Sequence, residues 1–412
     1  MELFLLGYRN VARNFRRTIL NVIAIAVGVA VLLFGQGWIR GYYNTIYTGV
    51  RNFETGDVQV LEKGYLDEQR RLPLDIAIGN YAELAAKIKT DPAVAAVAPR
   101  IEFSATVGTP AGSVRVLGRA IDPANEAKVT VTRQFMQQGH YLTSGSGGVL
   151  IGAPLAAKLG VKAGDTISVT AVDRYSAENY IQAVVEGVFR FGYPPVDENT
   201  LFIDLPTAQE LLGMKGEATR LVVKLAPGVG ETAGLQSVRK VLADAGQVRA
   251  YSWREFAQAV VIATSGDIGS FKIIMVIMYL LIVIGILNSM SMSVQERIRE
   301  IGTLRAIGMK RGRLTSLFLS ESVWIAIFGA IIGCVLGGVV VYYMEVVGFD
   351  FSKFSSTSLP IPWGHKFTGD YRPVDFLVAT AVGIVTAIAG GFLPALRATK
   401  LNIAWSLGAH IN

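Results

Sequence analysis

Four long apolar stretches dominate the hydrophobic pattern of this chain. They cover residues 19–39, 273–294, 314–344 and 374–394. A run of about 20 apolar residues is long enough to cross a bilayer as a helix. The third stretch is interrupted only by Glu321, and the fourth has Asp375 at its start. The pattern therefore predicts an integral membrane protein with four transmembrane helices.

The first stretch has one alternative interpretation, a cleaved signal peptide. The apolar region of a signal peptide has about 7–15 residues and is followed by a small-x-small cleavage site. This stretch is longer, and Trp38-Ile39-Arg40 is a poor cleavage site. We therefore favour a retained helix.

Flanking charges predict how the helices are oriented. Segment 295–313 carries six basic and two acidic residues. The other basic flanks are Arg9, Arg13, Arg16 and Arg17 before the first stretch, and Arg397 and Lys400 after the fourth. Cytoplasmic segments next to transmembrane helices are enriched in Lys and Arg. We therefore expect both termini, including the tail 395–412, and segment 295–313 in the cytoplasm, with 40–272 and 345–373 outside.

Residues 1–18 form a separate segment, with apolar positions alternating with Arg9 and Arg13. This pattern suits an amphipathic cytoplasmic helix lying at the membrane interface. A simple helical extension of the first transmembrane helix is equally compatible with it.

Segment 40–272 has the pattern of an α+β domain. Period-two alternation predicts strands at 57–61, 113–117, 166–172, 183–189 and 221–225. Short helices are predicted at 81–90 and 206–212, and helical stalks at 41–53 and 252–270. The fold class expected is thus an all-α membrane protein of four transmembrane helices with an inserted α+β extracytoplasmic domain.

Composition agrees with this division. Of the 412 residues 51% are hydrophobic and only 17% are charged, against about 25% charged in soluble domains. The net charge is +7, but residues 40–267 hold 23 basic and 24 acidic residues. The excess therefore sits beside the membrane helices, and nucleic-acid binding is not expected.

The chain shows no catalytic or metal-binding motif. It has one cysteine, Cys334, and three widely separated histidines. It has no Walker A motif and no G-x-S-x-G elbow, and TSGSGG at 143–148 lacks the Lys-Ser/Thr of a phosphate loop. We expect a non-catalytic chain without a cofactor or metal of its own, driven by a partner or a gradient.

Segment 295–313 has the clearest functional pattern. Apolar residues recur at Ile298, Ile301, Leu304 and Ile307. The charged residues around this stripe are Glu296, Arg297, Arg299, Glu300 and Arg305. Gly302 lies inside the helical pattern, and Gly308 fits a C-terminal cap. The segment predicts a short amphipathic helix that docks on a soluble partner, although a basic cytoplasmic loop without a partner has the same composition.

This segment closely resembles the cytoplasmic loop of the FtsX-like/MacB-like superfamily of ABC transporter permeases. The matching residues are Arg297, Glu300, Ile301, Gly302, Arg305, Ala306, Ile307 and Gly308. Asn288, Glu321 and the series Gly329, Gly333, Gly337 also resemble the family, as do the Arg-rich start 8–20 and the tail 390–407. The tail departs from the family at Asn402-Ile403, where an Asp/Asn-Pro pair is usual. Residues 148–169 resemble the periplasmic core domain of the MacB type, so the resemblance covers nearly the whole chain.

The resemblance implies a stand-alone permease of the LolC/LolE type in the inner membrane of a bacterium. It implies a cytoplasmic ABC ATPase dimer that holds ATP-Mg, and a second permease, identical or related. Segment 295–313 would be the coupling helix, and the cargo a lipoprotein or another hydrophobic molecule. A membrane-anchored regulator of a cell-wall hydrolase and an envelope-stress sensor remain alternatives.

Three features of the transmembrane segments have two interpretations each. Glu321 either couples to the partner or reaches the membrane interface. The series Gly329, Gly333, Gly337 allows close helix packing within the chain or between subunits. Asn288 is expected to form an interhelical hydrogen bond rather than to bind substrate.

Overall fold

A computed structural model describes residues 2–13, 15–110, 112–350, 366–370 and 372–400. The helices are α1 Glu2–Arg13, α2 Phe15–Val50, α3 Tyr65–Glu68, α4 Tyr81–Lys89, α5 Pro123–Val129, α6 Ala153–Leu159, α7 Pro194–Asp197, α8 Leu205–Leu212, α9 Glu231–Val241, α10 Trp253–Phe256, α11 Gln258–Gln295, α12 Ile298–Ala306, α13 Arg311–Val346 and α14 Pro373–Lys400. The strands are β1 Val58–Glu62, β2 Ile78–Gly79, β3 Val94–Thr109, β4 Gly112–Ile121, β5 Met136–Gly139, β6 Val149–Gly152, β7 Thr166–Val172, β8 Glu178–Phe189, β9 Thr200–Asp204, β10 Glu217–Ala218, β11 Arg220–Leu225, β12 Val248–Ser252, β13 Phe349–Asp350 and β14 Lys366–Phe367.

The chain divides into two compact units. The helical unit comprises Met1–Asn44, Thr264–Phe349 and Phe367–Asn412. The sheet unit comprises Thr45–Ala263 and Asp350–Lys366. The long helices α2 and α11 contribute residues to both units.

Four helices are long and apolar enough to span a membrane in the described part of the chain, as predicted: α2, α11, α13 and α14. The helices exceed the apolar stretches that predicted them. The first stretch ends at residue 39, whereas α2 continues to Val50 and is followed by a π-helical turn, Arg51–Thr55. With 36 residues α2 is about 54 Å long, against about 30 Å for the bilayer core. The predicted stalk segments are thus helical over most of their length.

The glycine series on α13 packs within the chain. A Cβ atom on Gly329 would lie 2.7 Å from the Cβ of Ile25, and one on Gly333 would lie 2.6 Å from the carbonyl oxygen of Ala26. A Cβ atom on Gly337 would lie 2.9 Å from the Cα of Ala30. Because such distances exclude a side chain, these glycines allow α13 to approach α2 closely.

Polar and aromatic contacts join further helices of this unit. Arg40 on α2 donates to Asp375 at the start of α14, with Nη1 2.8 Å from Oδ1. The indole of Trp324 on α13 donates to the backbone oxygen of Phe4 at 3.0 Å, and its ring lies 5.2 Å from that of Tyr8. Helix α1 therefore packs on α13, and it keeps Leu5 and Leu6 exposed.

The sheet unit is built on a ten-stranded mixed sheet in the order β12-β1-β11-β3-β4-β9-β6-β8-β5, with β7 pairing β3 and β8. Each predicted strand is found, in β1, β4, β7, β8 and β11, and the two predicted helices are α4 and α8. Residues 148–169 form the expected order of strand β6, helix α6, Gly-Asp turn and strand β7. The two largest apolar cores among the described residues of this unit lie against different parts of the sheet. One packs α6 and α8 on the central strands, and the other packs α4 and α9 on β1, β11 and β12.

Candidate coupling site

The predicted docking segment folds as helix α12 with short connections on both sides. Arg297 occupies its N-cap position and Ile307 its C-cap position. Gly308 follows with φ +100°, a left-handed conformation that glycine adopts readily and that ends the helix. The helix is therefore shorter than the predicted segment 295–313.

One face of α12 packs against the helical unit. Ile301 is 1% exposed and lies in a cluster with Val294, Leu314 and Phe318. Leu304 is partly buried against the same cluster. Gly302 is buried beside Ile301. The apolar stripe expected at the partner surface therefore serves largely to hold α12 on its own chain.

The guanidinium of Arg297 connects α12 to α13. Its Nη1 lies 2.5 Å from Oε2 of Glu321, and its Nε lies 2.8 Å from Oε2 of Glu300. Its charged end also lies 5.0 Å from the centre of the Phe318 ring. Burial alone would lower the pKa of Arg297, but the carboxylates of Glu321 and Glu300 outweigh it and raise the pKa. Arg297 thus stays charged and holds the start of α12 in place.

Most of the remaining predicted coupling residues are on the outer side of α12. Glu296, Arg299 and Glu300 are exposed, and Ile307 is 80% exposed. Arg305 is half-buried, and Gly308 is exposed. The outer side therefore presents charges of both signs beside one large apolar side chain, a combination suited to a protein interface. We call Glu296, Arg299, Glu300 and Ile307 the docking face.

The predicted transmembrane residues separate into different environments. Glu321 is 8% exposed and reaches Arg297 near the start of α13. Asn288 lies on the exposed side of α11. The three glycines of α13 face α2, as described above. Glu321 therefore contacts the coupling segment through Arg297, whereas the side chain of Asn288 is exposed.

The sheet unit contains an ionic cluster that the sequence did not reveal. Arg119 Nε lies 2.9 Å from Glu102 Oε1, and Arg220 Nη2 lies 2.6 Å from Glu102 Oε2. Arg100 donates to Glu126 at 3.0 Å, and both of these side chains are completely buried. Burial would raise the pKa of Glu102, but Arg220, Arg119 and Arg100 outweigh it and lower the pKa to about 2.

This cluster adjoins the end of α2 and its π-helical turn. Arg100 also donates to the backbone oxygen of Glu54 in that turn. Gln59 of β1 donates to the backbone oxygen of Thr55 at 2.8 Å, and Lys224 of β11 donates to the side chain of Asn52 at 2.9 Å. The carbonyls that a helix end leaves without intrahelical partners are thus bound by the sheet. The π-helical turn that follows α2 is therefore bound to three strands.

The described residues contain no group of His, Cys, Asp and Glu that could hold a metal ion. The glycine-rich turn at 143–148 encloses a carboxylate of the chain itself. The backbone N–H groups of Gly145 and Gly147 each lie 3.2 Å from the carboxylate of Asp204. The turn therefore has a structural role.

Comparison with known proteins identifies the family. Residues 18–241, slightly more than half of the chain, match the MacB-like periplasmic core domain, and residues 272–403 match the FtsX-like permease C-terminal domain. The chain therefore belongs to the FtsX-like/MacB-like family of ABC transporter permeases.

Individual relatives fall in two groups. The chain is 24% identical over 404 residues to the lipoprotein-releasing system transmembrane protein LolC of Xylella fastidiosa, covering 94% of this chain and 92% of that one. It is 22% identical over 409 residues to the corresponding LolE of Haemophilus influenzae, covering 95% and 94%. It is 36% identical over 121 residues to the macrolide export ATP-binding/permease protein MacB 1/2 of Paracoccus denitrificans, covering 29% and 15%. The similarity over nearly the full length is thus to lipoprotein-releasing system transmembrane proteins.

Proposed function

We propose that this chain is a permease subunit that converts ATP hydrolysis by a separate cytoplasmic ATPase dimer into movement of an extracytoplasmic domain. The ATP-Mg would be bound by the partner, and this chain would itself be non-catalytic. The observation that carries the proposal is helix α12. Its inner side is fixed to the helical unit by Ile301 and by the Arg297–Glu321 pair, while its docking face stays exposed.

Movement of the docking face would act directly on α13. A partner that shifts α12 must also shift Glu321, because Arg297 is hydrogen-bonded to both Glu300 and Glu321. Glu321 lies on the same helix as the glycines that contact α2. The docking face is thereby connected to α2 through packed contacts within one unit.

The sheet unit would receive this movement through the long helices. The π-helical turn that directly follows α2 is bound to β1, β3 and β11 by side-chain hydrogen bonds. A shift of α2 would therefore be passed to these strands. The four apolar stretches contain almost no ionisable residue besides Glu321 and Asp375. This composition favours mechanical transmission over a polar channel through a single chain.

The proposed setting is a bacterial inner membrane, with both termini and α12 in the cytoplasm and the sheet unit outside. We further propose that the chain acts with a second permease, identical or related. The full-length similarity to lipoprotein-releasing proteins supports a lipoprotein or another hydrophobic cargo.

The test is charge reversal on the docking face. Glu300→Lys, combined with Ile307→Asp, should prevent co-purification of the ATPase or leave an assembled complex in which ATP hydrolysis no longer moves cargo. The matched control is Glu178→Lys, at an exposed position of the sheet unit. Normal co-purification and normal cargo export in the double variant would refute the proposed docking face.

A further inference from the structure

Strand β12 forms one end of the ten-stranded sheet, and its hydrogen-bond pattern shows which backbone groups face outward. Lys63 donates to the oxygen of Gln247 at 2.8 Å, and Trp253 donates to the oxygen of Asp57 at 3.3 Å. In an antiparallel pair such hydrogen-bonded positions alternate with positions that point away from the neighbouring strand. The residues whose backbone groups point away from β1 are therefore Val248, Ala250 and Ser252.

Two side-chain contacts confirm this geometry. The oxygen of Ala250 accepts from Nε of Arg239 at 3.1 Å, and the N–H of Ser252 donates to Oε2 of Glu255 at 2.7 Å. On the N-terminal side of these contacts, the N–H of Ala250 and the carbonyl of Val248 face the open edge. A strand added here would accept from the first group and donate to the second.

A groove of about 520 Å³ lies along this edge. Its charged lining side chains are Lys63, Arg239, Arg249 and Glu255. Three cations and one carboxylate leave an excess of two positive charges. Lys63 and Arg249 are exposed, whereas Arg239 is oriented by its bond to Ala250 and lies 3.8 Å from Glu255. The groove thus combines available backbone groups with a positive field.

Charged side chains on an edge strand can also act only as protection against unwanted strand pairing. Protection requires no groove beside the charges. The groove therefore favours binding, and the sign of the charge selects an acidic ligand. We propose that β12 binds an extended acidic peptide segment of a partner protein as an added strand, a recognition mode in which main-chain bonds give affinity and side-chain pockets give specificity.

The experiment uses the full chain, purified in detergent and presented to a phage-displayed library of random peptides. We expect the selected peptides to be enriched in Asp and Glu. Ala250→Pro removes an outward-facing N–H and no hydrogen bond to β1, and proline is tolerated at such edge positions. Arg249→Glu reverses one charge of the groove without changing the backbone. Each variant should weaken binding of the selected peptides about tenfold or more.

The control is Arg115→Glu, an exposed arginine on β4, which should leave binding unchanged. The proposal is overturned if the library yields no binder, or if the binders lack acidic residues. Unchanged affinity in either Ala250→Pro or Arg249→Glu also overturns it, and would mean that these charges only protect the edge.

Discussion

Two ionic clusters in this molecule use similar residues in opposite surroundings. In the cluster around Glu102, the side chains of Arg100 and Glu126 are completely buried, and Arg119 and Arg220 are 6% and 1% exposed. In the cluster around Arg297, the side chains of Arg297 and Glu321, taken without their backbone atoms, are each 11% exposed, but that of Glu300 is 55% exposed. The first cluster is closed to solvent, whereas the second opens onto the docking face.

The difference indicates what each cluster does. A buried charge is tolerated only when oppositely charged partners and hydrogen bonds compensate its loss of water. The closed cluster therefore fixes one arrangement of β3, β4, β11 and α5. The open cluster holds α12 on α13 and still leaves a carboxylate accessible to a partner. We therefore expect the closed cluster to govern stability and the open cluster to govern coupling.

The largest expected effect follows from Glu102→Gln. The substitution leaves Arg119 and Arg220 without their carboxylate in a buried site, which typically costs about 3–5 kcal/mol of unfolding free energy. Denaturant titration of the full chain, followed by hydrogen exchange in β3 and β4, measures the loss. Glu178→Gln, at the exposed start of β8, is the control. Equal stability of the two variants would contradict a structural role of the closed cluster.

A smaller and local effect is expected from Arg297→Gln. Loss of the charged hydrogen bonds to Glu300 and Glu321 should cost about 2 kcal/mol and speed hydrogen exchange of α12 at least tenfold. Exchange in the sheet unit should not change. The double variant Arg297→Gln/Glu321→Gln tests the connection of α12 to α13. If its loss of stability equals the sum of the losses in the two single variants, the two residues are not energetically coupled, and the connection is wrong.

The smallest effect is expected at the helix contact between α13 and α2. Gly333→Ala places a Cβ atom against Ala26 and Val29, and overpacking of this kind costs about 1–3 kcal/mol, partly offset by the helix propensity of alanine. Gly285→Ala on α11 meets nothing within 4 Å and should be neutral or slightly stabilising. Thermal unfolding of both variants in detergent measures the difference. Equal unfolding midpoints for Gly333→Ala and Gly285→Ala would show that the contact between α13 and α2 is loose.

Patterns local in sequence predicted much of this structure. The apolar stretches located four membrane helices, and period-two alternation located strands such as β7 and β8, because both signals are local. The Gly series on α13 also indicated close packing, but its partner helix could not be inferred. The three-residue spacing of Ile301, Leu304 and Ile307 suggested a single stripe. Only the structure shows that Ile301 is buried and Ile307 is 80% exposed.

The ion pairs could not be predicted, because their partners are distant in sequence. Arg220 and Glu102 are 118 positions apart, and Arg297 and Glu321 are 24 apart. In the sequence each is one charged residue among many. The position of β12 at the sheet edge likewise follows from strand order. The roles of the docking face and of β12 remain predictions.

The flanking charges predict that the docking face and the sheet unit lie on opposite sides of the membrane. Single cysteines at Ile307 and Ser144, both exposed, test it in a Cys334→Ala background. Gly302 is unsuitable for labelling because it is buried. In intact cells, a membrane-impermeant thiol reagent should label Ser144→Cys at once and Ile307→Cys only after the membrane is permeabilised. Labelling of both cysteines from the same side of the membrane would contradict this topology and the mechanism proposed from it.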